Sequence, residues 1–231
     1  MKSDYLAMGI DLGTVGVRIA LINSNLELVY SSSINYQNSL EDSDDWKNCC
    51  TNLIRQIPKS FKSQIKCCSI DGTSGTLIAC KNNGKPIGKA LPYYMNFFNH
   101  EKRINELIPN SEKKDLTSLG RALELISKYG EDILLRHQAD WITCWLTGNW
   151  ELGEESNNIK LGWDISKKIW PESFYRKSWK KSLPKIVSSG EIIGRIDSNL
   201  CKNLNISNNI LVIAGTTDSN AAVIAANPSP E

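Results

Sequence analysis

The stretch MGIDLGTVGVRIALI, residues 8–22, decides the fold. It falls within two runs rich in Val, Ile and Leu, Leu6–Asp11 and Val17–Asn23, which predict two β-strands. Asp11 closes the first strand, and Gly13-Thr14 follows as a turn. Glycine lets a backbone approach a ligand closely, and turn N–H groups form anion-binding concavities. An aspartate repels phosphate but holds Mg²⁺ through water. The stretch therefore predicts either an ordinary hairpin tip or a turn that faces phosphate and metal.

The same combination of an apolar strand, a Gly-Thr turn and a neighbouring aspartate occurs twice more, in DGTSGT (71–76) and GTTD (215–218). In open α/β sheets, ligands bind outside the carboxyl ends of the strands, so we expect the three turns to share one crevice. There Asp71 and Ser74 are placed to hydrogen-bond a polyol. Asp218 begins a predicted helix, where it serves either as an N-cap or as the acceptor of a hydroxyl proton in phosphoryl transfer.

The bulk composition excludes several classes of protein. The chain has 231 residues, 41% of them hydrophobic, and one domain over residues 1–231 is expected. A net charge of +2 without a basic stripe argues against nucleic acid as a partner. The chain shows no signal-peptide pattern and no apolar run of about 18 residues, which predicts a soluble cytoplasmic protein without a membrane partner. Two histidines and seven cysteines without a C-x-x-C pair disfavour a zinc site.

The periodicity of apolar residues gives the order of elements. The first third predicts three strands, a helix that starts near Asp42 and a fourth strand at Ile65–Ile70. Further along, the patterns predict a strand at Thr76–Cys80 and helices at Ile104–Ile108, Ala122–Tyr129 and Ile133–Leu146. The last part predicts a strand at Ile210–Ala214, a turn at 215–217 and a helix at Asp218–Ala226. Residues 149–200 predict loops that tryptophans hold to the surface.

Three stretches, MGIDLGTVGVRIALI, SIDGTSGTLIA (69–79) and LVIAGTTDSNAAVIAA (211–226), together resemble the N-terminal domain of the FGGY family of carbohydrate kinases. The likeness is strongest to the xylulokinase and D-ribulose kinase group of cyanobacterial and plant type. Supporting segments, in the family's order, are HQADWITCWLTG (137–148), EESNNIKLGWD (154–164), WPESF (170–174) and LPKIVSSGEIIGRI (183–196). The resemblance spans nearly the whole chain.

The resemblance implies an α/β domain of the actin/hexokinase (ribonuclease H-like) type, with a mixed five-stranded sheet flanked by helices. It also implies ATP and Mg²⁺ as cofactors and a small sugar as substrate. The resemblance also implies roles for single residues. Phosphate and ATP binding fall to Asp11, Gly13, Thr14 and Arg18, and Asp11 also binds the metal through water. Asp218 accepts the proton, and the residues that bind the substrate are Asp71, Gly72, Ser74, Asn96 and Asp218. For Arg18, a solvated charge on the second strand is an equally good interpretation.

Two departures from the family pattern stand out. The segment that usually carries an acid and an arginine against the sugar reads YYMNFF here, with Asn96 in place of the acid. Asparagine still bonds a hydroxyl, but it carries no charge. Family members are also about twice as long as this chain, so the C-terminal nucleotide-binding domain is expected to be absent. The segment NAAVIAAN (220–227) would then lose its covering surface, which predicts marginal stability or self-association.

The resulting hypothesis is ATP-dependent phosphorylation of a pentulose, D-ribulose or D-xylulose, by the N-terminal half of a sugar kinase. The N-terminal half alone is expected to have weak kinase activity or none. The alternative is a non-catalytic sugar-binding module, or one half of a split kinase whose C-terminal half is encoded separately. A structural actin-like protein is a third interpretation, and nothing in the turns favours it.

Overall fold

The computed structural model describes residues 5–109 and 117–226, and a mixed sheet organises them. The strand order is β3-β2-β1-β4-β10-β9. Strands β1, β4 and β10 are parallel neighbours in the middle, while β2, β3 and β9 run antiparallel to the strands they join. The carboxyl ends of the three parallel strands therefore meet at one edge, where a ligand site is expected.

The strands are β1 Leu6–Leu12, β2 Gly16–Ile22, β3 Leu28–Asn35, β4 Ile65–Gly72, β5 Leu77–Cys80, β6 Leu134–His137, β7 Leu152–Glu154, β8 Lys185–Val187, β9 Ile192–Arg195 and β10 Leu211–Thr217. The helices are α1 Ser43–Gln56, α2 Lys59–Lys62, α3 Glu101–Leu107, α4 Thr117–Tyr129, α5 Gln138–Thr147, α6 Glu155–Asn158, α7 Glu172–Tyr175, α8 Ser198–Leu204 and α9 Asp218–Ala225. No helix among the described residues is long and apolar enough to span a bilayer.

One face of the sheet forms the main core. Side chains alternate along a strand, so β1 and β2 bury every second residue against α1 and α5. The two helices meet through Trp46 and Trp141, whose ring centroids lie 6.0 Å apart. Helix α1 begins as the sequence predicts, with the Asp42 carboxylate accepting a hydrogen bond from the Asp44 N–H group.

Residues 149–200, predicted as loops, also contain the strands β7, β8 and β9 and the helices α6 and α7. Of the four tryptophans there, Trp150 packs against the main core and the other three belong to a second core. Trp163, Trp170, Phe174 and Trp179 form a run of ring contacts with centroids 5.0–6.1 Å apart. This run packs with α4, β5 and β6. All seven cysteines are free, as expected, and burial raises the thiol pKa of Cys68 to about 12, which keeps that thiol protonated.

Three further details differ from the sequence predictions. The sheet has six strands in place of five, because the short segment Ile192–Arg195 pairs with β10 at the edge. The apolar run Ile133–Leu146 is not one helix: Leu134–His137 pairs with β5, and the helix starts at Gln138. Residues 215–217 are the end of β10, not a turn, since Thr216 and Thr217 pair with the end of β4.

Candidate active site

A crevice of about 670 Å³ lies at the carboxyl ends of β1, β4 and β10. Three aspartates from these strand ends, Asp11, Asp71 and Asp218, line it together. The same face of α9 that carries Asp218 adds Ala221, Ala222 and Ala225 to the lining. The volume falls within the range of small-molecule sites. The three aspartates therefore share one crevice, whereas residues 72–76 and 215–217 do not line it.

The loop between β1 and β2, residues 13–16, is called the phosphate turn below. It is a tight hairpin turn, in which the Gly13 N–H group donates to the Gly16 carbonyl oxygen at 2.9 Å. Thr14 lies exposed at its tip, beside the crevice. Arg18 is 70% exposed, and its guanidinium donates to the Asp11 carboxylate at 2.8 Å. Arg18 is thus a solvated charge at the crevice, and its phosphate-binding role stays a prediction.

The carboxyl group of Asp71 has a raised pKa. Burial raises its pKa to about 7, with a further contribution from the negative charges of Asp11 and Asp218. One of its oxygens, Oδ1, is buried and has no hydrogen-bond partner among the described residues. A buried polar atom without a partner is costly, so a ligand hydroxyl or a water that reached this oxygen would be stabilised.

Asp218 is the first residue of α9. The helix is capped by Thr217, whose hydroxyl accepts from the Asn220 N–H group, so Asp218 is not the N-cap that the sequence allowed. The Asp218 Oδ1 atom accepts from the Ser219 N–H group at 2.8 Å, which orients the carboxylate. A bulge precedes it in β10, where half-buried Gly215 lies so close to β4 that a Cβ on it would be 1.8 Å from the Ile70 carbonyl oxygen.

The loop after β4, residues 72–76, is called the sugar turn below. Its backbone is joined to β1 by the Thr73 N–H group, which donates to the Leu12 carbonyl oxygen at 3.1 Å. Gly75 has φ +101°, a conformation that favours glycine. Of the predicted substrate residues, Ser74, Gly72 and Asn96 are not among the residues that line the crevice, and Asn96 is exposed. Their roles stay predictions.

Arg121 of α4 supports the sugar turn from below, and the sequence did not predict this contact. Its guanidinium is fully buried and donates to the carbonyl oxygens of Gly75, Tyr93 and Met95 at 2.6–3.0 Å. Burial lowers its pKa to about 10. The arginine that the family pattern places after Asn96 is absent, and Arg121 brings a guanidinium under the same segment from a helix. Arg121 lies just before the predicted helix Ala122–Tyr129, and the sequence predicted no role for it.

The three carboxylates of the crevice are possible ligands for a divalent cation. Asp11, Asp71 and Asp218 are hard oxygen donors of the kind that Mg²⁺ prefers. Within residues 5–109 and 117–226, no three His, Cys, Asp or Glu side chains stand close enough to enclose one ion directly. Mg²⁺ commonly keeps several of its waters, so the crevice fits an ion held through water and does not fit a direct three-carboxylate cage.

Comparison with known proteins gives a consistent picture. No protein-family model matches the chain. A xylulose kinase of Lactococcus lactis subsp. lactis (strain IL1403) is 24% identical over 248 residues, which cover 94% of this chain and 48% of that protein. The solved xylulose kinase from Rhodospirillum rubrum superposes with a TM-score of 0.85 at 13% identity, over 97% of this chain and 51% of its own.

The Plasmodium falciparum glycerol kinase solved with ADP superposes with a TM-score of 0.79 at 19% identity, over 96% of this chain and 50% of its own. The fold is that of the FGGY carbohydrate kinases. The resemblance read from the motifs is thus confirmed at the level of the fold. The chain spans about half the length of the curated FGGY relative and of both solved kinases.

Proposed function

We propose that residues 1–231 are the N-terminal, sugar-binding and catalytic domain of an ATP-dependent carbohydrate kinase. The observation that carries the proposal is the convergence of Asp11, Asp71 and Asp218 on one crevice at the ends of three adjacent parallel strands. The similarity to a xylulose kinase supports a pentulose, D-xylulose or D-ribulose, as substrate. The similarity to a glycerol kinase solved with ADP supports ATP as phosphoryl donor.

In this proposal Asp218 accepts the proton of the attacking sugar hydroxyl, since its carboxylate faces the crevice from a fixed helix start. Ser74 and Asp71 orient the sugar, with Gly72 and Asn96 as further contacts. Gly13, Thr14 and Arg18 face the phosphates. Asp11 holds Mg²⁺ through water, and the ion, when bound, neutralises charge on the transferred phosphoryl group. A second domain supplies the adenosine pocket and excludes water by closing over the crevice.

Two measurements test the proposal. Calorimetry of the 231-residue chain should show binding of D-ribulose or D-xylulose that Ser74→Ala weakens and that Asp132→Asn, a change of an exposed aspartate, leaves unchanged. An ADP-release assay should show little turnover by the chain alone. Turnover should appear when the C-terminal half of a carbohydrate kinase is supplied separately. Asp218→Asn should then lower the rate by a factor on the order of 10²–10⁴.

A non-catalytic sugar-binding module is the second candidate. It is favoured by Asn96, which is uncharged and exposed where the family has an acid. Sugar binding without any rescue by a C-terminal half would support the module. Rescue would support one half of a split kinase. Absence of binding for every pentulose tested would contradict both candidates, and robust turnover by the isolated chain would contradict the assignment to one half.

A further inference from the structure

A chain of hydrogen bonds runs beneath the crevice, and its first part lies in the sugar turn. The Tyr93 N–H group donates to the Thr76 hydroxyl at 3.2 Å. The hydroxyls of Thr76 and Thr73 are 2.7 Å apart. The Thr73 hydroxyl donates to the Gln138 side-chain carbonyl at 2.6 Å, and the Thr73 N–H group reaches the same oxygen at 3.3 Å. The sugar turn is thereby tied to the first residue of α5.

The second part of the chain reaches the phosphate turn. The side-chain amide of Gln138 donates from Nε2 to the Tyr36 hydroxyl at 3.2 Å. The Tyr36 hydroxyl donates to the Gly13 carbonyl oxygen at 3.0 Å. A contact of 3.4 Å between the Tyr93 and Thr14 hydroxyls joins the two ends. The hydrogen bonds therefore form a closed ring that contains both turns.

The donors of the chain all point in one direction. Because the proton of the Thr73 hydroxyl goes to Gln138, the Thr76 hydroxyl must donate to Thr73. The Gln138 side-chain amide continues this direction, because its oxygen accepts from Thr73 and its nitrogen donates to Tyr36. Hydrogen bonds in such a series polarise one another, so the loss of one bond weakens the others.

Most residues of this hydrogen-bond series are buried, which makes its hydrogen bonds costly to break. Gln138 and Thr76 are 0% exposed and Thr73 is 2% exposed. Burial also raises the pKa of Tyr36 above its ordinary value, so its hydroxyl stays protonated and remains a donor. A buried donor or acceptor that loses its partner costs the full desolvation of that group. Neither Gln138 nor Tyr36 is among the residues that line the crevice, so their influence on it is indirect.

We propose that Gln138 and Tyr36 are positioning residues that fix the phosphate turn relative to the sugar turn. The inference rests on the proposed function for what the two turns hold. A phosphoryl group and a sugar hydroxyl react only when held in a near-attack geometry, and a displacement of about 1 Å costs on the order of a hundredfold in rate. A rigid connection between the turns meets that requirement.

The decisive experiment is amide hydrogen exchange, read residue by residue by NMR, on the 231-residue chain without sugar or nucleotide. Tyr36→Phe removes only the hydroxyl, which touches Gly13 and Gln138. Exchange at the Thr73 and Tyr93 amides, in or bonded to the sugar turn, should nevertheless rise by about five- to tenfold, the factor for one lost hydrogen bond. Thr73→Val should raise exchange at the Gly13 amide reciprocally.

The matched control is Ser182→Ala, which removes the hydroxyl of a fully buried serine that donates to the Glu131 carbonyl oxygen at 3.2 Å. It should leave exchange at both turns unchanged, even where it lowers overall stability as much as Tyr36→Phe does. Equal effects from Ser182→Ala, or effects of Tyr36→Phe confined to residues 13–16, would overturn the proposal. Because no ligand is present, the outcome is independent of whether the chain binds a sugar.

Gln138→Glu provides a second variant. A protonated carboxyl has one donor and one acceptor and reproduces the amide, whereas an ionised carboxylate has no donor for the Tyr36 hydroxyl. After correction for intrinsic exchange, protection of the Thr73 amide in this variant should fall as pH rises through the titration of the new carboxyl. This fall should exceed the one that the titration of Asp71 causes in the unchanged protein over the same range. An equal fall in both proteins would contradict the role of Gln138.

Discussion

Asp11 and Asp71 are paired in register across β1 and β4, so two carboxyl groups leave adjacent parallel strands at the same level of the sheet. Asp218, which follows β10 on the other side of β4, adds a third. Burial, with smaller contributions from the negative charges of Asp11 and Asp218, raises the pKa of Asp71 to about 7. The stability of the fold is therefore linked to the proton on Asp71.

The first prediction concerns this linkage. Unfolded Asp71 titrates near pH 4 and folded Asp71 near pH 7. Between these values the folded state binds the extra proton, so the free energy of unfolding should fall as pH rises, and the loss should be complete above about pH 7. Allowing for screening by water, we expect a loss of about 1–3 kcal/mol. Urea unfolding at a series of pH values, with EDTA present, measures it.

The control for the pH prediction is a pair of substitutions. Asp71→Asn should flatten the decline between pH 4 and pH 7 and should raise stability at pH 8. Asp132→Asn, at a side chain that is 90% exposed, should leave the decline as it is. If the free energy of unfolding of Asp71→Asn fell with pH as steeply as before, another group would be the cause of the decline.

The second prediction concerns the bulge in β10. Gly215→Ala would place a Cβ 1.8 Å from the Ile70 carbonyl oxygen, a clash with backbone that only a shift of β10 against β4 relieves. We expect a loss of about 2–4 kcal/mol in the free energy of unfolding, as for other overpacked interior sites. Gly9→Ala, on β1 of the same sheet, is the control because its Cβ meets nothing within 4 Å. Equal effects in urea unfolding would refute the argument.

The predictable part of this fold is the part that local patterns determine. The alternation of buried residues in β1 and β2 and the Asp42 cap of α1 are visible within a few residues of sequence. The meeting of Asp11, Asp71 and Asp218 followed from a general rule about strand ends. Strand β6 was missed because its four residues continue the apolar run into α5, and only pairing with β5 distinguishes them.

The site residues that the sequence did not predict act through contacts between distant parts of the chain. Tyr36 and Gln138 are 102 positions apart, and Arg121 is 46 positions from Gly75. Periodicity reports which face of an element is buried, and it does not report which polar groups face each other inside. Such pairings become visible only when the tertiary packing is known.

The third prediction concerns Arg121. Arg121→Met keeps much of the side-chain length but leaves the carbonyl oxygens of Gly75, Tyr93 and Met95 without their buried donor. We expect a loss of about 3–5 kcal/mol in the free energy of unfolding. Limited proteolysis should also cut within residues 92–98 sooner. Arg176→Met, at a side chain that is 79% exposed, is the control and should change neither quantity. Normal resistance of this segment in Arg121→Met would contradict the role.

The last prediction concerns α9, which has no buried residue although it carries Val223 and Ile224, 59% and 71% exposed. These side chains belong to the segment for which the sequence predicts self-association; its last residue, Asn227, lies outside the described residues. An apolar helix face in water lowers its free energy by pairing, so sedimentation velocity should show association that grows with concentration. Ile224→Lys should reduce the association, whereas Leu26→Lys, at an isolated side chain that is 79% exposed, should not. A monodisperse monomer at all concentrations would show that α9 is stable in water without a partner.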